Sequence, residues 1–554
     1  MSVRSIVIHG HFYQPPREDP WLEEVPREPS AAPFHDWNER IERECYRAVV
    51  AARRYAPDGR IAAIDNVLSS ISFDFGPTLL EWLERHAPRT YAGVLEADRL
   101  SGERHGGHGN AIAMPYHHAI LPLATRRDKV TEVRWGIADF RRRFGREPVG
   151  MWLPETAVDD ETLDVLAAEG MRFTILAPHQ VTDAPGRGFP GWYRTGGGRS
   201  IALFAYDGAI SHDIAFGTLL RDARRWLERL VAPVHAGPDP ALIAMATDGE
   251  TYGHHHHFGE VALAWLVAAL EVRGDVRVEN FSSFLARHPP EQEVKLVAPS
   301  SWSCPHGVER WRADCGCRMA PERVTQQRWR APLRDALDWL AAELHARFER
   351  EGAACFTDPW AARDAYRPGQ RGPRGRAREL LELERNALRM FTSCGWFFDD
   401  IAGLEAVQIL KYAARAIELA GEEALRLEAG LLERLAPAES NEPGLGTGAD
   451  VYVDRAKWPG RAVPAAQANS DVGTSNHGTA RELLQAVLTL AHDQSPHALA
   501  VVTGLADRLE REGDPIPYDV QTAFYGIRAA SPPEHAARLA SVAWRLGFAK
   551  DGGV

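Results

Sequence analysis

The sequence predicts an α/β amino-terminal half, either a β/α barrel or an open doubly wound sheet, followed by an all-helical region. Two observations carry this. Up to about residue 290, short apolar β-branched runs alternate with helix-period segments, the pattern of strands joined by crossover helices. After about residue 320 the strand-like runs nearly vanish.

The candidate strands are 5–9, 60–64, 149–153, 172–176, 201–206, 242–247 and 276–278. Several are almost continuously apolar, as strands covered on both faces are. Between them, 38–55, 128–144 and 219–230 carry apolar residues at helical spacing. Asp159-Asp160 before ETLDVLAAEG gives a capped helix that Gly170 ends. Beyond the strands, 323–351 and 377–390 read as helices, and 401–435 as one long or broken helix. Gly and Pro interrupt the chain at 437–448 and again at 458–477, and helices resume near 479. The expected units are a catalytic barrel over 1–290, a helical domain over 291–435, and an irregular linker with further helices over 436–554. The last region is expected to pack against the bundle or to offer an oligomer surface.

The chain has 554 residues, 45% apolar and 25% charged, with a formal charge of −12. That apolar share buries a core and excludes disorder as the main theme. Basic residues are dispersed, so no nucleic-acid partner is expected. No apolar run reaches the ~18 residues of a membrane span. The start, MSVRSIVIHGHFYQPP, lacks the ~7–15-residue apolar stretch of a signal peptide. A cytoplasmic location is therefore expected. Six cysteines are too few for a disulfide framework, and Cys45, Cys355 and Cys394 are scattered.

Four polar clusters follow predicted strands, where β/α barrels carry their chemistry. His9-Gly10-His11, with Gln14, puts two imidazoles on one face of a strand. They suit a metal, a hydroxylated ligand or a polar core. Trp152-Leu153-Pro154-Glu155 ends an apolar strand on a carboxylate, and Pro154 stops that strand. Thr247-Asp248-Gly249 ends another on a carboxylate, although Asp-Gly also serves ordinary turns. His254–His257 reads as a polar loop beside that end. Two carboxylates on separate strand ends suggest glycoside hydrolysis, with one as nucleophile and the other as general acid/base. The acid must hold its proton near neutral pH, which calls for burial or a neighbouring negative charge.

Taken together, HGHFYQPP at 9–16, WLPET at 152–156 and DGETYGHH at 248–255 resemble glycoside hydrolase family 57. HDWNERIERECY at 35–46, ISFDFGPTLLEWLE at 71–84, HGNAIAMPYHHAILPL at 108–123 and SSWSCPHGVERWRADCGC at 300–317 reinforce the likeness. The chain is most similar to the α-amylase/α-mannosidase-like subgroup with a carboxy-terminal domain of unknown function. The resemblance implies a (β/α)7 barrel, a helical bundle that closes the site, and a retaining mechanism on α-linked glucans by hydrolysis or transfer. It implies Glu155 as nucleophile and Asp248 as general acid/base. It also implies His11, Gln14 and His118 as substrate contacts and an aromatic, best matched by Trp396, entering from the helical segment 391–398. His9, Trp37, Trp152, His254, Trp302 and His306 are further candidate substrate contacts. An α-glucan or oligosaccharide is the expected partner, and its neutrality needs no basic field. No cofactor and no metal is expected, and oligomeric state is left open.

Two other classes remain. One is a zinc-dependent α-mannosidase or polysaccharide deacetylase on a related barrel, with His9, His11, Asp248 and one of His254–His257 as ligands. The other is a non-catalytic glucan-binding protein. Cys304, His306, Cys315 and Cys317 have the spacing C-x-H-x8-C-x-C. They form either a Cys3His zinc site or a loop with buried thiols that turns Trp302, Arg310, Trp311 and Asp314 toward substrate.

Overall fold

A ring of short parallel strands dominates the amino-terminal half of the computed structural model, which describes residues 4–232, 241–367, 372–457 and 477–549. The parallel strands are β1 (Arg4–Phe12), β2 (Ser72–Phe75), β3 (Phe173–Leu176), β4 (Ser200–Ala205), β5 (Leu242–Asp248) and β6 (Val276–Val278). β1 pairs with β5 from Ser5↔Leu242 to His11↔Asp248, and with β2 from His9↔Ser72 to Phe12↔Phe75. From β2 the ring passes through single bridges, Phe73 to Ala111, Ala113 to Met151 and Gly150 to Phe173. It continues in the β3–β4 ladder. A backbone hydrogen bond from Asp207 N to Ala244 O (2.7 Å) returns it to β5. The order is β1, β2, 111–113, 150–151, β3, β4, β5, which is a (β/α)7 barrel. β6 lies beside the start of β1.

One stave, 111–113, escapes pattern reading because it is too short, and the strand expected at 149–153 shortens to 150–151. Residues 111–113 and 150–151 pair through isolated bridges only. Gly150 is required where its stave meets the next, since a Cβ there would lie 2.2 Å from the Phe173 ring. The expected strand at 60–64 is not part of the barrel. Ile61–Asp65 instead pairs antiparallel with Ala52–Tyr55, so the helix expected over 38–55 stops near Val49. The helix expected over 128–144 runs Arg126–Phe144, with Thr125 accepting from Asp128 N as its cap.

The helical domain is built from Arg330–Gly352, Arg376–Arg389, Leu404–Leu419 and Ala424–Leu435. Gly421, at φ +63°, separates the last two, so 401–435 is a broken helix rather than one rod. Their shared core includes Trp329, Leu337, Leu344, Trp396 and Tyr412, all fully buried. The domain grips the barrel through the loop after β1. Tyr412 Oη donates to Pro16 O (2.9 Å) and Gln408 Nε2 to Glu18 O (2.8 Å). Arg363, also fully buried, bonds Asp128 (2.8 Å) on a barrel helix and Glu384 (2.7 Å) on a bundle helix.

The carboxy-terminal region divides. Ala438, Val451 and Tyr452 belong to the bundle core. The helices His477–Thr489, Pro496–Glu512, Tyr518–Ala530 and Pro533–Ala543 do not pack on the bundle as expected. Their core is shared with Ile61 of the hairpin, through Val520, Phe524 and Phe548. The expected irregular stretch 458–477 lies almost wholly outside the described residues. No helix among the described residues is long and apolar enough to cross a membrane.

Candidate active site

The carboxyl ends of the staves converge on one mouth. The pairing of His11 with Asp248 across β1 and β5, and with Asp74 across β1 and β2, sets three titratable groups side by side at one level of the ring. Strand register alone produces this, because partners in parallel ladders point the same way.

Asp74 is the hub beneath the mouth. Its Oδ1 meets His9 Nε2 (3.0 Å) and its Oδ2 meets His11 Nδ1 (2.8 Å). Burial alone would raise the Asp74 carboxyl, but His11 and His9 hold it below the usual range. Burial works against the His11 cation too, yet Asp74, Asp248 and Glu250 push its pKa up to about 9. His11 is therefore an imidazolium at neutral pH. It has an N–H for Asp74 and another for His118 Nε2, 3.2 Å away. Burial and the His11 charge keep His118 neutral, far below the ordinary histidine value. Its Nδ1 lies 2.7 Å from Ser393 Oγ of the helical domain. With Nε2 accepting from His11, Nδ1 carries the proton and donates to Ser393.

Asp248 ends β5 and opens to the cleft. Water reaches its face, while the protein behind it displaces bulk solvent. That loss of solvent pushes its pKa up to about 6. The His11 cation opposes the shift, and the Glu155 and Asp74 charges reinforce it. Glu250, two residues on, is fully enclosed and pushed up to about 7 by burial and by Asp248. It accepts from Tyr13 N (3.0 Å) and from Tyr46 Oη.

Glu155 is presented on a strained turn. Glu155 (φ +57°) and Thr156 (φ +49°) are consecutive left-handed residues, and His118 (φ +59°) is a third at the same mouth. Such conformations cost ~1–3 kcal/mol each and persist where surrounding contacts over-determine them. Here Trp302 N donates to Glu155 O (3.0 Å), while Trp302 Nε1 (3.0 Å) and Ser303 Oγ (2.6 Å) both donate to Glu155 Oε2.

Glu155, Asp248, His11, His118 and Trp302 thus gather at one place. Several other expected contacts are corrected. His9 is wholly buried and spends both ring nitrogens, on Ser72 (3.0 Å) and Asp74, so it supports His11 from below. Trp152 is fully buried and stacks on His9 (4.7 Å) and His11 (5.3 Å), offering no face to a sugar. Trp396 is likewise sealed in the helical core, where its Nε1 donates to Arg330 O. Gln14 is buried and turned to the Tyr13 carbonyl and Arg17. His306 is exposed and stands with three cysteines, Nδ1 3.7 Å from Cys317 Sγ. Trp37 and His254 pack edge to face (6.1 Å) on the rim beyond β5, where His254 pairs with Glu44. The metal-dependent alternative loses its ligands here, because His9 and His11 have no ring nitrogen to spare.

Asp74, Glu250, Ser303 and Ser393 were not anticipated. Asp74 had a readable signal, an acid inside the apolar run ISFDF just before Gly-Pro. Ser393 had none, because its role depends on a contact 275 residues away.

Comparisons with known proteins match the same region. The model of glycosyl hydrolase family 57 matches residues 41–297, and a domain of unknown function, DUF3536, matches 326–368 and 367–467. The 4-alpha-glucanotransferase of Thermococcus litoralis is 21% identical over 42% of this chain, and an alpha-amylase of Pyrococcus horikoshii 25% over 41%. The match covers 36% of each of those proteins. Among solved structures, an exo-type maltose-forming amylase from Pyrococcus sp. ST04 aligns with a TM-score of 0.60 at 16% identity, over 78% of this chain and 83% of that one. A family 57-type branching enzyme from Pyrococcus horikoshii aligns at 0.51 and 16%, over 82% and 94%. These structures share the fold of barrel and helical domain. The region 41–297, which contains both Glu155 and Asp248, is a glycosyl hydrolase family 57 domain.

Proposed function

We propose that the protein is a retaining enzyme acting on α-linked glucans, by hydrolysis or by transfer to an acceptor sugar. The observation that carries this reading is the division of labour between two carboxyls at one barrel mouth. Asp248 keeps its proton up to about pH 6, and Glu155 Oε2 accepts from two donors. Both donors reach Oε2, which leaves Oε1 to attack the anomeric carbon. As that bond forms, the glycosidic C–O bond breaks and Asp248 gives its proton to the departing oxygen. Asp248, now a carboxylate, takes a proton from water or an acceptor hydroxyl. The resulting attack releases the sugar from Glu155 and restores both groups. His11, a fixed cation beside Asp248, limits how far the Asp248 pKa rises.

The reading is tested by trapping. A fluorinated α-glycosyl fluoride that stalls at the covalent stage should label one peptide, the one containing Glu155. Glu155→Ala supplied with azide should release the β-glycosyl azide, because azide then attacks from the face that the carboxylate occupied. Label on any other residue, or no azide adduct with an activated substrate, would sink the assignment.

A further inference from the structure

Away from the carboxyls, Cys304, His306, Cys315 and Cys317 bring four ligand atoms within 4.8 Å of one another. We propose that these residues hold a tetrahedral Cys3His zinc ion whose role is to fasten the loop that carries Trp302 and Ser303. The spacing is diagnostic. Zinc–sulfur bonds of ~2.3 Å give a tetrahedron whose edges are ~3.8 Å. The distances between ligand atoms are 3.9 Å for Cys304–Cys315, 3.8 Å for Cys304–Cys317 and 3.7 Å for Cys317 to His306 Nδ1. A disulfide would need ~2.05 Å, so these thiols converge without pairing.

The backbone is shaped for the same purpose. Left-handed glycines turn the chain beside both halves of the ligand set, Gly307 at φ +87° and Gly316 at φ +80°. At Gly307 a Cβ would stand 2.7 Å from Pro299 O, so the turn accepts only glycine.

A charge observation points the same way independently. Arg330 is fully buried, and its Nη1 donates to Cys317 O (2.8 Å). Its Nη2 donates to Phe398 O, while its Nε lacks a hydrogen-bond partner. Among the described residues no carboxylate lies within ion-pair distance of it. A buried guanidinium needs an anion nearby. Three thiolates and a neutral imidazole around Zn²⁺ carry one net negative charge beside it. The three thiol protons leave to solvent as the metal binds. All four positions are filled by protein, so the ion is structural rather than catalytic.

Its consequence for the mouth is positional. Cys304 directly follows Ser303, and Arg310 Nη1 donates to Ser303 O (3.4 Å) while its Nη2 holds Phe397 O (2.7 Å). The metal would thus lock the loop against the 393–400 turn and keep both Glu155 donors in place.

The test is metal analysis of full-length protein made without an affinity tag and purified under reducing conditions. About one zinc per chain is expected, and less than ~0.2 overturns the proposal. Cys315→Ser/Cys317→Ser should lose the zinc, and His254→Ala/His256→Ala should keep it. The opposite pattern also overturns the proposal. Should the cysteine variant fail to fold, the wild-type protein decides. Titration with a mercurial should release zinc as three thiols react, and reloading with Co²⁺ should give thiolate charge-transfer bands and a tetrahedral visible envelope. Release of zinc without loss of thiols, or no such bands, counts against it. None of these readouts depends on glycosidase activity, so failure here leaves the proposed reaction untouched.

Discussion

The barrel meets helices at two places, and the two contacts differ in kind. At the mouth the contact is polar and buried. Ser393 meets His118, Thr392 Oγ1 donates to His117 O (3.1 Å), Arg389 pairs with Glu18 (2.8 Å), and Arg363 joins Asp128 to Glu384. At the hairpin, the carboxy-terminal helices meet Ile61 through an apolar cluster of Val520, Phe524 and Phe548, with Arg53 over the Tyr518 ring. Polar buried contacts depend on direction and on the presence of every partner, whereas apolar ones scale with area and tolerate adjustment. The first contact should therefore govern chemistry and register, and the second stability alone.

The largest effect should come from the mouth. Glu155→Gln keeps an acceptor for Trp302 and Ser303 but removes the nucleophile. It should lower kcat/KM by at least about ten-thousand-fold, in the range seen when a nucleophile is deleted, with an unchanged melting curve. A large loss of stability instead would mean that Glu155 is part of the scaffold and would erase the distinction between the two contacts.

Next comes the seam behind the mouth. Glu384 is fully buried between Arg363 and His345, 2.7 Å and 2.9 Å away. Glu384→Gln breaks a buried ion pair and should cost about 3 kcal/mol in denaturant unfolding. The same network has a pH signature. His345 is raised from its ordinary 6.5 to about 10, burial being outweighed by Glu384 and Asp128. The folded state binds this proton more tightly, so its contribution is complete below about pH 6.5. It declines above that value and is gone once the pH passes about 10. Wild-type stability should fall across this window, and the Glu384→Gln variant should show a smaller fall.

Asp74→Asn tests the hub under the mouth. Without Asp74 the His11 cation loses its main support, and kcat/KM should drop about a hundredfold, the scale of one general acid–base or electrostatic element. The alkaline limb of the kcat/KM profile, set near 6 by the proton that Asp248 must hold, should move upward. His11 opposes the Asp248 shift more strongly than Asp74 promotes it, so losing both charges leaves Asp248 a weaker acid. A limb that moves downward would show that His11 remains charged without Asp74, because only the Asp74 charge that raises Asp248 would then be lost.

What the sequence made legible follows the same physics. β1 and β5 were readable because each holds an apolar run, Ile6–Ile8 and Leu242–Ala246, that leads into the polar groups His9, His11 and Asp248. Glu155 was readable because Pro154 marks the end of its stave. Stave 111–113 has no periodicity to detect, and the role of Trp302 and Ser303 arises only when residues some 147 positions apart meet. Motif position misled: Trp152 and Trp396 sit on family motifs yet are core, because a buried indole packs on neighbouring side chains as readily as on sugars. The hairpin was misread as a barrel strand because Ile61–Asp65 has the alternation of a strand that covers another layer, and that layer lies more than 400 residues further along the chain.

The smallest effect belongs to the second contact. Arg53 is nearly buried, and its Nη2 donates to Tyr518 O (2.9 Å) and meets Thr522 Oγ1 (3.1 Å) while its plane covers the Tyr518 ring. Arg53→Ala removes one stacking contact and its hydrogen bonds at a seam that keeps its apolar cluster and the Arg47–Asp519 ion pair, a loss of about 1 kcal/mol. It should lower the unfolding midpoint of the carboxy-terminal helices, followed by proteolysis within 477–549, and leave kcat and KM at wild-type values. Arg53 lies in the strand before Ile61 and touches none of the groups at the mouth. A change in KM would therefore mean that the hairpin transmits to the staves, and the two contacts would have to be treated as one coupled interface.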